Sequence, residues 1–275
     1  MFLGLVQGIT EFIPVSSSGH LSILQNLFKL NYSEDGHLLF DVLLHLGTLV
    51  SICAVYWSEL KTMVSDGLEF LRKRSESDSD EIVVMKPPAR ALLFVLIGTI
   101  PMFLAIFFMK SVERLFYSTG FIGFAMIITG GLLFVSDRYI KKGQKTDKTM
   151  TLGDAIIIGL SQAVAIIPGL SRSGTTISVG LARGLTGSFT VRFSLLLSIP
   201  AVLGSTIITL FSAIRGGADF SSFLVYLVGF VIAAAFGFLS IQFIRRLMNN
   251  NRFGNIAYYC WGVGVLTLIL SLIIK

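Results

Sequence analysis

The sequence predicts an all-α polytopic membrane protein with six transmembrane helices and two re-entrant helical hairpins in an inverted repeat. Of the 275 residues, 53% are hydrophobic and only 14% are charged, whereas soluble domains carry about 25% charged residues. The mean hydropathy is +0.80, and several apolar runs approach the roughly 20 residues that a spanning helix needs. In addition, two related segments interrupt apolar runs with Pro, Ser and Gly.

The two related segments predict the hairpins. The first reads GLVQGITEFIPVSSSGH over residues 4–20, and the second reads GLSQAVAIIPGLSRSGT over residues 159–175. The apolar pieces beside each interruption are too short to cross a bilayer, so each segment is expected to enter to mid-membrane and return. Duplicated, interrupted hydrophobic segments indicate a ligand site near the bilayer midplane.

Single spanning helices are predicted between and after the hairpins, at 38–57, 91–109, 119–136, 193–213, 223–244 and 254–274. A helical apolar pattern from Leu60 to Leu71 predicts an additional interfacial amphipathic helix. The chain is expected to form a single membrane domain over residues 1–275.

The distribution of basic residues predicts the orientation. Lys and Arg collect in the loops 58–90, 137–152 and 245–252, which the positive-inside rule places in the cytoplasm. This asymmetry accounts for the net charge of +6 without a nucleic-acid partner. With these loops inside, the first hairpin enters from outside and the second from inside. Repeat 1, about 1–136, and repeat 2, about 153–275, are then inverted copies.

Two charged residues beside the interruptions are the main candidate functional residues. A charge at membrane depth costs about 2.5–3.5 kcal/mol on insertion scales, which makes Glu11 and Arg172 unusual. Gln7 precedes Glu11 by one helical turn on the same face. The planar fork of Arg172 suits a phosphate. The alternative explanation is a purely structural ion pair between Glu11 and Arg172.

Small polar residues at the interruptions are candidate phosphate ligands. Each cluster opens a new half-helix, where free N–H groups and the helix dipole favour an anion. The alternative is that these residues only allow close helix packing. The candidates are Ser16, Ser18, Gly19, Ser171, Ser173, Gly174 and Thr175.

The histidines offer acid–base chemistry. His20 closes the first interruption, and acid, base and nucleophile roles are all open for it. Asp41 and His45 lie one turn apart on one helix face and are predicted to form a hydrogen-bonded support. Cys53 and Cys260 lie in apolar runs without metal-binding spacing.

Other phosphate-handling signatures do not match. The sequence lacks a Walker GxxxxGK[ST] motif, and Ser173 stands where a nucleophile elbow needs Gly. The phosphatidic-acid-phosphatase type 2 signature also fails, because Ser178 occupies the position of its histidine.

Three segments carry a close resemblance to the undecaprenyl-diphosphate phosphatase (bacitracin-resistance) family. They are QGITEFIPVSSSGH at 7–20, DVLLHLGT at 41–48 and PGLSRSGT at 168–175; FSLLLSIP at 193–200 is similar to a further family segment. The resemblance implies the fold argued above and an enzyme of the bacterial plasma membrane. That enzyme would remove the terminal phosphate of undecaprenyl diphosphate, recycle the lipid carrier for peptidoglycan synthesis and confer bacitracin resistance.

The resemblance also implies roles for particular residues. The motif residues of the family fall on Gln7, Glu11, Ser17, His20 and Arg172. It implies a divalent cation, Mg²⁺ or Ca²⁺, with Glu11 as its candidate ligand. The first acidic position of the family is often Glu but is Gln7 here, so Glu11 must supply the negative charge alone. The chain also begins closer to this motif than family members usually do.

The sequence-based hypothesis is hydrolysis of a polyprenyl diphosphate lipid at a site that opens to the outer face. Arg172 and the two half-helix N-termini would bind the phosphates, while Glu11 with Gln7 would place a cation or an attacking water. His20 would protonate the leaving oxygen or attack phosphorus, and Ser17 is a further candidate nucleophile or hydrogen-bond donor. The alternative is a polyprenyl-lipid flippase or secondary transporter, which shares this architecture. A homodimer is a further expectation.

Overall fold

The computed structural model describes residues 1–28, 34–76, 84–140, 142–215, 223–250 and 252–273. The acidic part of the first basic loop, residues 77–83, lies outside these ranges. The described residues form twelve α-helices. They are α1 Phe2–Thr10, α2 Ser17–Leu27, α3 Glu34–Val55, α4 Trp57–Glu76, α5 Pro87–Ala105, α6 Met109–Phe116, α7 Thr119–Ser136, α8 Leu152–Val164, α9 Arg172–Ala182, α10 Gly187–Arg215, α11 Phe223–Asn249 and α12 Ile256–Ile273.

The long apolar helices confirm a polytopic all-α membrane protein. Within the described ranges, α5, α7, α10, α11 and the stretch that contains α12 are long and apolar enough to cross a membrane. A sixth span results when α3 and α4 are counted together, since they form a broken pair bent by 78°. The predicted span at 38–57 corresponds to α3.

Helix α4 corresponds to the predicted amphipathic helix. Its side chains Val64, Leu68 and Leu71 are exposed, whereas Met63 faces the protein core. Lys86, just before α5, pairs with Asp66 and Glu69 of α4 and so ties the two helices together. An amphipathic helix with one exposed apolar row is suited to the membrane interface.

The two interrupted segments form short broken helices, as predicted. The first half-helices, α1 and α8, contain 9 and 13 residues, and the second half-helices, α2 and α9, contain 11 each. At 1.5 Å per residue even α8 reaches only about 20 Å, less than the roughly 30 Å hydrocarbon core.

Each first half-helix packs closely on a spanning helix through glycine. A Cβ atom added at Gly4 of α1 would lie 2.6 Å from the carbonyl oxygen of Gly229 in α11. A Cβ at Gly159 of α8 would overlap the carbonyl group of Gly98 in α5. Small residues permit such backbone approach between membrane helices. Gly4 and Gly159 are equivalent in the duplicated sequence, and so their contacts match as well.

Hydrogen bonds and ion pairs of arginine side chains join two of the basic loops at one end of the helix bundle. Arg90 at the start of α5 donates to the carbonyl oxygens of Lys148 (2.9 Å) and Met150 (2.6 Å). Arg192 of α10 pairs with Glu59 at 3.4 Å and with Asp147 at 3.6 Å. The segments 58–90 and 137–152 therefore meet at this end.

The second hairpin is anchored at the same end. Asp154 in the first turn of α8 is fully buried. It accepts hydrogen bonds from Lys145 (2.8 Å) and from Arg183 (2.9 Å), the residue that follows α9, and it forms a capping box with Thr151. The start of α8 and the end of α9 are thus fixed next to the basic loops. The relation of repeats 1 and 2 as inverted copies stays a prediction.

Candidate functional site

Each hairpin has a helix break between its two half-helices, residues 11–16 in the first and residues 165–171 in the second. The two helix breaks are in direct contact. A Cβ atom added at Gly19, in the first turn of α2, would lie 3.2 Å from the Cα atom of Gly169. A Cβ atom at Gly174, in the first turn of α9, would lie 3.2 Å from the Cβ atom of Pro14. Glycine at both positions allows the breaks to approach, and residues from the two hairpins share one site.

Thr129 of α7 fixes the backbone conformation of the second break through two hydrogen bonds. The Thr129 hydroxyl donates to the carbonyl oxygen of Gly169 at 3.0 Å and accepts from the Ser171 N–H at 3.1 Å. Gly169 has φ +92°, and a Cβ there would lie 2.5 Å from the carbonyl oxygen of Ile122. Only glycine meets both requirements without strain.

The first break contains a strained residue. Ser16 has φ +69°, in a region that non-glycine residues rarely occupy. Its hydroxyl accepts from the Gly19 N–H at 3.2 Å, and so it caps α2. Local strain of this kind persists where the surrounding structure stabilises it, and it clusters at functional sites.

Ser16 and Ser171 have matching contacts. The Ser171 hydroxyl caps α9 by accepting from the Gly174 N–H at 3.1 Å. The Oγ atom of Ser18 lies 3.4 Å from that of Ser16, and the Oγ atom of Ser173 lies 3.3 Å from that of Ser171. Both cap hydroxyls are buried. Helix capping therefore accounts for one serine of each pair, and phosphate binding by these serines stays a prediction.

Glu11 is surrounded by donors from both hairpins and from α3. Arg172 Nη2 lies 2.5 Å from its Oε1 atom. Its Oε2 atom accepts from Gln7 Nε2 at 2.9 Å and from the Ser17 hydroxyl at 2.6 Å, and lies 3.9 Å from His45 Nε2. We call these five residues the Glu11 cluster. The structure thus places Glu11 and Arg172 in direct contact at the breaks, and their roles in a functional site stay a prediction.

Gln7 and Glu11 are buried, the other members of the Glu11 cluster are half-buried, and the cluster leaves donors available. The side chains of Glu11 and Arg172 are 5% and 19% exposed. A guanidinium has five N–H donors, and the contact with Glu11 uses only the Nη2 group, so the Nη1 and Nε groups can hold an anion. Because the Ser17 hydroxyl donates to a carboxylate, the pair has the geometry of an activated nucleophile and its base.

His45 lies near Glu11, a contact that the sequence does not predict. Its Nδ1 atom is 2.8 Å from the backbone oxygen of Asp41, one turn earlier, and its Nε2 atom faces Glu11. His45 therefore contacts the backbone of Asp41, and the support role of this pair stays a prediction. The Asp41 carboxylate accepts from Gln25 Nε2 at 3.4 Å, which links α3 to α2.

His20 points to a different partner. Its Nδ1 atom lies 2.8 Å from the backbone oxygen of Ser16, and its Nε2 atom lies 2.9 Å from the hydroxyl of Tyr259 in α12. Both ring nitrogens thus have partners other than Glu11 and Arg172. The site holds His20 one helical turn from Ser17 on the same face of α2.

Four buried polar atoms near the breaks lack a hydrogen-bond partner among the described residues. They are the amide oxygen Oε1 of Gln7, the Oε1 and Nε2 atoms of Gln162 and the hydroxyl of Thr175. Buried polar groups are normally hydrogen-bonded, so a ligand or water is expected to form hydrogen bonds with these atoms. Thr175, in the first turn of α9, remains a candidate substrate ligand.

The donor set limits which metal ion the site can hold. Among the residues that the structure describes, no group of three or more His, Cys, Asp and Glu side chains can hold a metal. Glu11 and the Oε1 atom of Gln7 offer two oxygen donors. Oxygen donors are the kind that Mg²⁺ prefers, and a divalent cation at Glu11 stays a prediction.

Three contacts of the site were not predicted from the sequence. They are the bonds of Thr129 to the second break, the bond of Tyr259 to His20 and the approach of His45 to Glu11. Thr129 and Tyr259 lie inside apolar spans, where small polar and interfacial aromatic residues are common, so the sequence carried no distinctive signal for them.

The fold and the site define an integral membrane protein with a buried acid–guanidinium cluster where two broken helices meet. This arrangement is suited to a polar head group at membrane depth. Residues 1–266 match the family described as bacitracin resistance protein BacA, and the chain belongs to this family.

Relatives named undecaprenyl-diphosphatase resemble the chain over almost its full length. The protein from Carboxydothermus hydrogenoformans is 37% identical over 274 residues, which cover 98% of this chain and 96% of the relative. The protein from Methanosphaera stadtmanae is 36% identical, with 100% of this chain and 98% of the relative covered. Undecaprenyl-diphosphatase 1 from Shouchella clausii is 36% identical over 98% of this chain and 95% of the relative.

Proposed function

We propose that the protein hydrolyses undecaprenyl diphosphate to undecaprenyl phosphate and inorganic phosphate, and so recycles the lipid carrier for peptidoglycan synthesis. The contact between Glu11 and Arg172 at the meeting breaks carries this proposal. A structural ion pair alone would not need the Ser17 hydroxyl on the same carboxylate, nor two half-helices that start at the same point. The names and coverage of the relatives support the same activity.

The diphosphate would bind where α2 and α9 begin. The N–H groups and dipoles of two helix N-termini favour an anion there. The free N–H groups of Arg172 would hold the phosphate oxygens as a fork and stabilise the charge that develops during transfer. The apolar chain of the lipid would extend between the spanning helices. Partial burial of the site strengthens each of these electrostatic interactions.

The chemical step would begin at Ser17. The proton of its hydroxyl passes to Glu11, and the oxygen attacks the terminal phosphorus. The bond from that phosphorus to the bridging oxygen breaks, and undecaprenyl phosphate leaves with the electron pair. Water then attacks the serine phosphate; one proton of that water goes to a base, and Glu11 returns its proton to the serine oxygen as inorganic phosphate leaves.

His20 is the proposed base for the second step. It lies one turn along α2 from Ser17, and its bond to the Ser16 carbonyl fixes the Nδ1 proton. A neutral ring then has an unprotonated Nε2 atom, which accepts a proton and cannot supply one. Of the roles open from the sequence, this geometry favours a base over an acid.

A divalent cation would be held by Glu11, the Oε1 atom of Gln7 and the substrate phosphates. When bound, it neutralises phosphate charge. Arg172 already supplies one positive charge to Glu11, and a single carboxylate holds Mg²⁺ only together with the substrate. The cation and the diphosphate are therefore expected to bind together.

The proposed location is the bacterial plasma membrane, with the loops 58–90, 137–152 and 245–252 in the cytoplasm. The positive-inside rule supports this orientation, and contacts at one end of the bundle join the first two loops. The site would then open to the outer face through the first hairpin. A homodimer remains part of the proposal.

Phosphate release from purified protein in detergent tests the function. With undecaprenyl diphosphate as substrate, we expect inorganic phosphate and undecaprenyl phosphate in equal amounts, and a lower rate when a chelator is present. A flippase or transporter moves the lipid without cleaving its phosphoanhydride bond, so it would release no phosphate under these conditions. Absence of phosphate release by folded, cation-supplied protein would overturn the proposal.

A further inference from the structure

The contact between His20 and Tyr259 links the first hairpin to a spanning helix that is far away in sequence. The Tyr259 hydroxyl lies 2.9 Å from His20 Nε2. The two rings are nearly parallel, with an interplanar angle of 7° and centroids 5.8 Å apart. Helix α12 therefore contributes one hydrogen-bonding group to His20, in the first turn of α2.

The direction of this hydrogen bond follows from the other side of the imidazole. The backbone oxygen of Ser16 is 2.8 Å from Nδ1, and a carbonyl oxygen can only accept. Nδ1 therefore carries a hydrogen, and in a neutral imidazole the Nε2 atom is then an acceptor. The Tyr259 hydroxyl donates to it. Ser16 and Tyr259 together fix both the tautomer and the ring plane of His20.

We propose that Tyr259 is a positioning residue for His20. Its hydroxyl holds the imidazole plane through Nε2 in the resting site, and the attacking water takes the place of that hydroxyl on Nε2 when His20 acts as a base. The proposal rests on the proposed function, in which His20 takes a proton from water. Tyr259 acts through His20 and does not contact the phosphates.

The neighbouring tyrosine shows why general packing does not explain this contact. Tyr258 is 62% exposed and packs edge-on against Trp261 of the same helix. Tyr259 is 49% exposed, and its hydroxyl is the group that reaches His20. Replacement by phenylalanine keeps the ring of either tyrosine and removes only the hydroxyl. Tyr258→Phe is therefore a matched control for Tyr259→Phe.

Steady-state kinetics of phosphate release test the positioning role. A hydrogen bond that fixes a catalytic group contributes about 1 kcal/mol, so Tyr259→Phe should lower kcat by about 3- to 10-fold with KM nearly unchanged. Tyr258→Phe should change neither constant. In a His20→Ala background, Tyr259→Phe should have no further effect, because its target is gone. An unchanged kcat, or an equal loss in the His20→Ala background, would overturn the proposal.

Nitrogen NMR of histidine-labelled protein tests the contact without any activity. The His20 resonances are assigned from their loss in His20→Gln. In the wild type, Nδ1 should be protonated, and Nε2 should show the shift of a hydrogen-bonded acceptor. Tyr259→Phe should move the Nε2 resonance, whereas Tyr258→Phe should not. The expected spectrum does not depend on whether the protein hydrolyses the lipid. An Nε2 resonance that does not move in Tyr259→Phe would refute the hydrogen bond between Tyr259 and His20.

Discussion

The exchange of Arg172 for lysine separates the shape of the guanidinium from its charge. Arg172→Lys keeps a positive charge beside Glu11 but removes the planar fork that can hold two phosphate oxygens at once. A substitution to alanine would be harder to interpret. Loss of one partner from a buried ion pair costs about 3–5 kcal/mol, and the protein could then fail to fold.

The expected magnitude follows from the contacts of Arg172. Its Nη2 group is used by Glu11 at 2.5 Å, and its other N–H groups would bind phosphate. A hydrogen bond to a charged group contributes about 1.5–3 kcal/mol, so loss of the fork should lower kcat/KM for phosphate release by about 10- to 100-fold. The assay is the initial rate of phosphate release in detergent across a range of lipid diphosphate concentrations.

Arg183→Lys is the matched control. Arg183 follows the C-terminal end of the same helix, α9, and pairs with the buried Asp154 at 2.9 Å. It lies at the end of the bundle that holds the basic loops, away from the helix breaks. We expect its kcat/KM to stay within about twofold of the wild type, since no phosphate group contacts it. The reasoning is refuted if Arg172→Lys retains the wild-type rate, or if the two variants lose activity equally.

Three further substitutions test the site and its framework. Glu11→Gln removes the only carboxylate of the Glu11 cluster, and phosphate release should fall by about 100-fold or more even with divalent cation present. Gln7→Glu should stay active, because the resemblance allows Glu at this position; a second carboxylate beside Glu11 should make its rate depend more strongly on divalent cation. Gly169→Ala should lower the thermal unfolding temperature strongly, because its Cβ would lie 2.5 Å from a backbone oxygen at φ +92°.

Each of these substitutions has a result that contradicts its reasoning. Full activity of Glu11→Gln would show that the carboxylate has no role in the mechanism. A folded but inactive Gln7→Glu would show that Gln7 does not correspond to the first acidic position of the family. Two glycine controls accompany Gly169→Ala. A Cβ atom added at Gly131 in α7 would have no neighbouring atom within 4 Å. A Cβ atom added at Gly184 would also have none, but the backbone of Gly184 has φ +84°. Gly131→Ala should leave the unfolding temperature nearly unchanged and Gly184→Ala should lower it slightly; equal losses at Gly169 and Gly184 would mean that backbone conformation alone matters.

The overall architecture could be predicted from the sequence because the membrane restricts it strongly. Apolar runs of spanning length must be helical, since lipid cannot satisfy free backbone groups. Glu11 and Arg172 could be placed at one site because charges at depth need partners and because the duplicated motif marks both breaks. The structure supports that placement with a direct contact between the two residues.

The finer geometry depends on contacts that leave no pattern in one sequence. The sequence predicts His45 in a support pair with Asp41, and the rotation of α3 also brings its Nε2 atom to 3.9 Å from Glu11. Thr129 and Tyr259 come from α7 and α12, and their side chains matter only because these spans pack against the breaks. A helical period shows which residues share a face but not which neighbour that face meets.

Hydrolysis of undecaprenyl diphosphate by the purified protein in heavy-oxygen water tests the central claim most directly. If the site transfers the terminal phosphoryl group to water, through Ser17 or directly, the heavy oxygen must appear in inorganic phosphate and be absent from undecaprenyl phosphate. Mass spectrometry of both products distinguishes the outcomes. Label in the lipid product, or lipid diphosphate that stays intact with folded protein, would contradict the account.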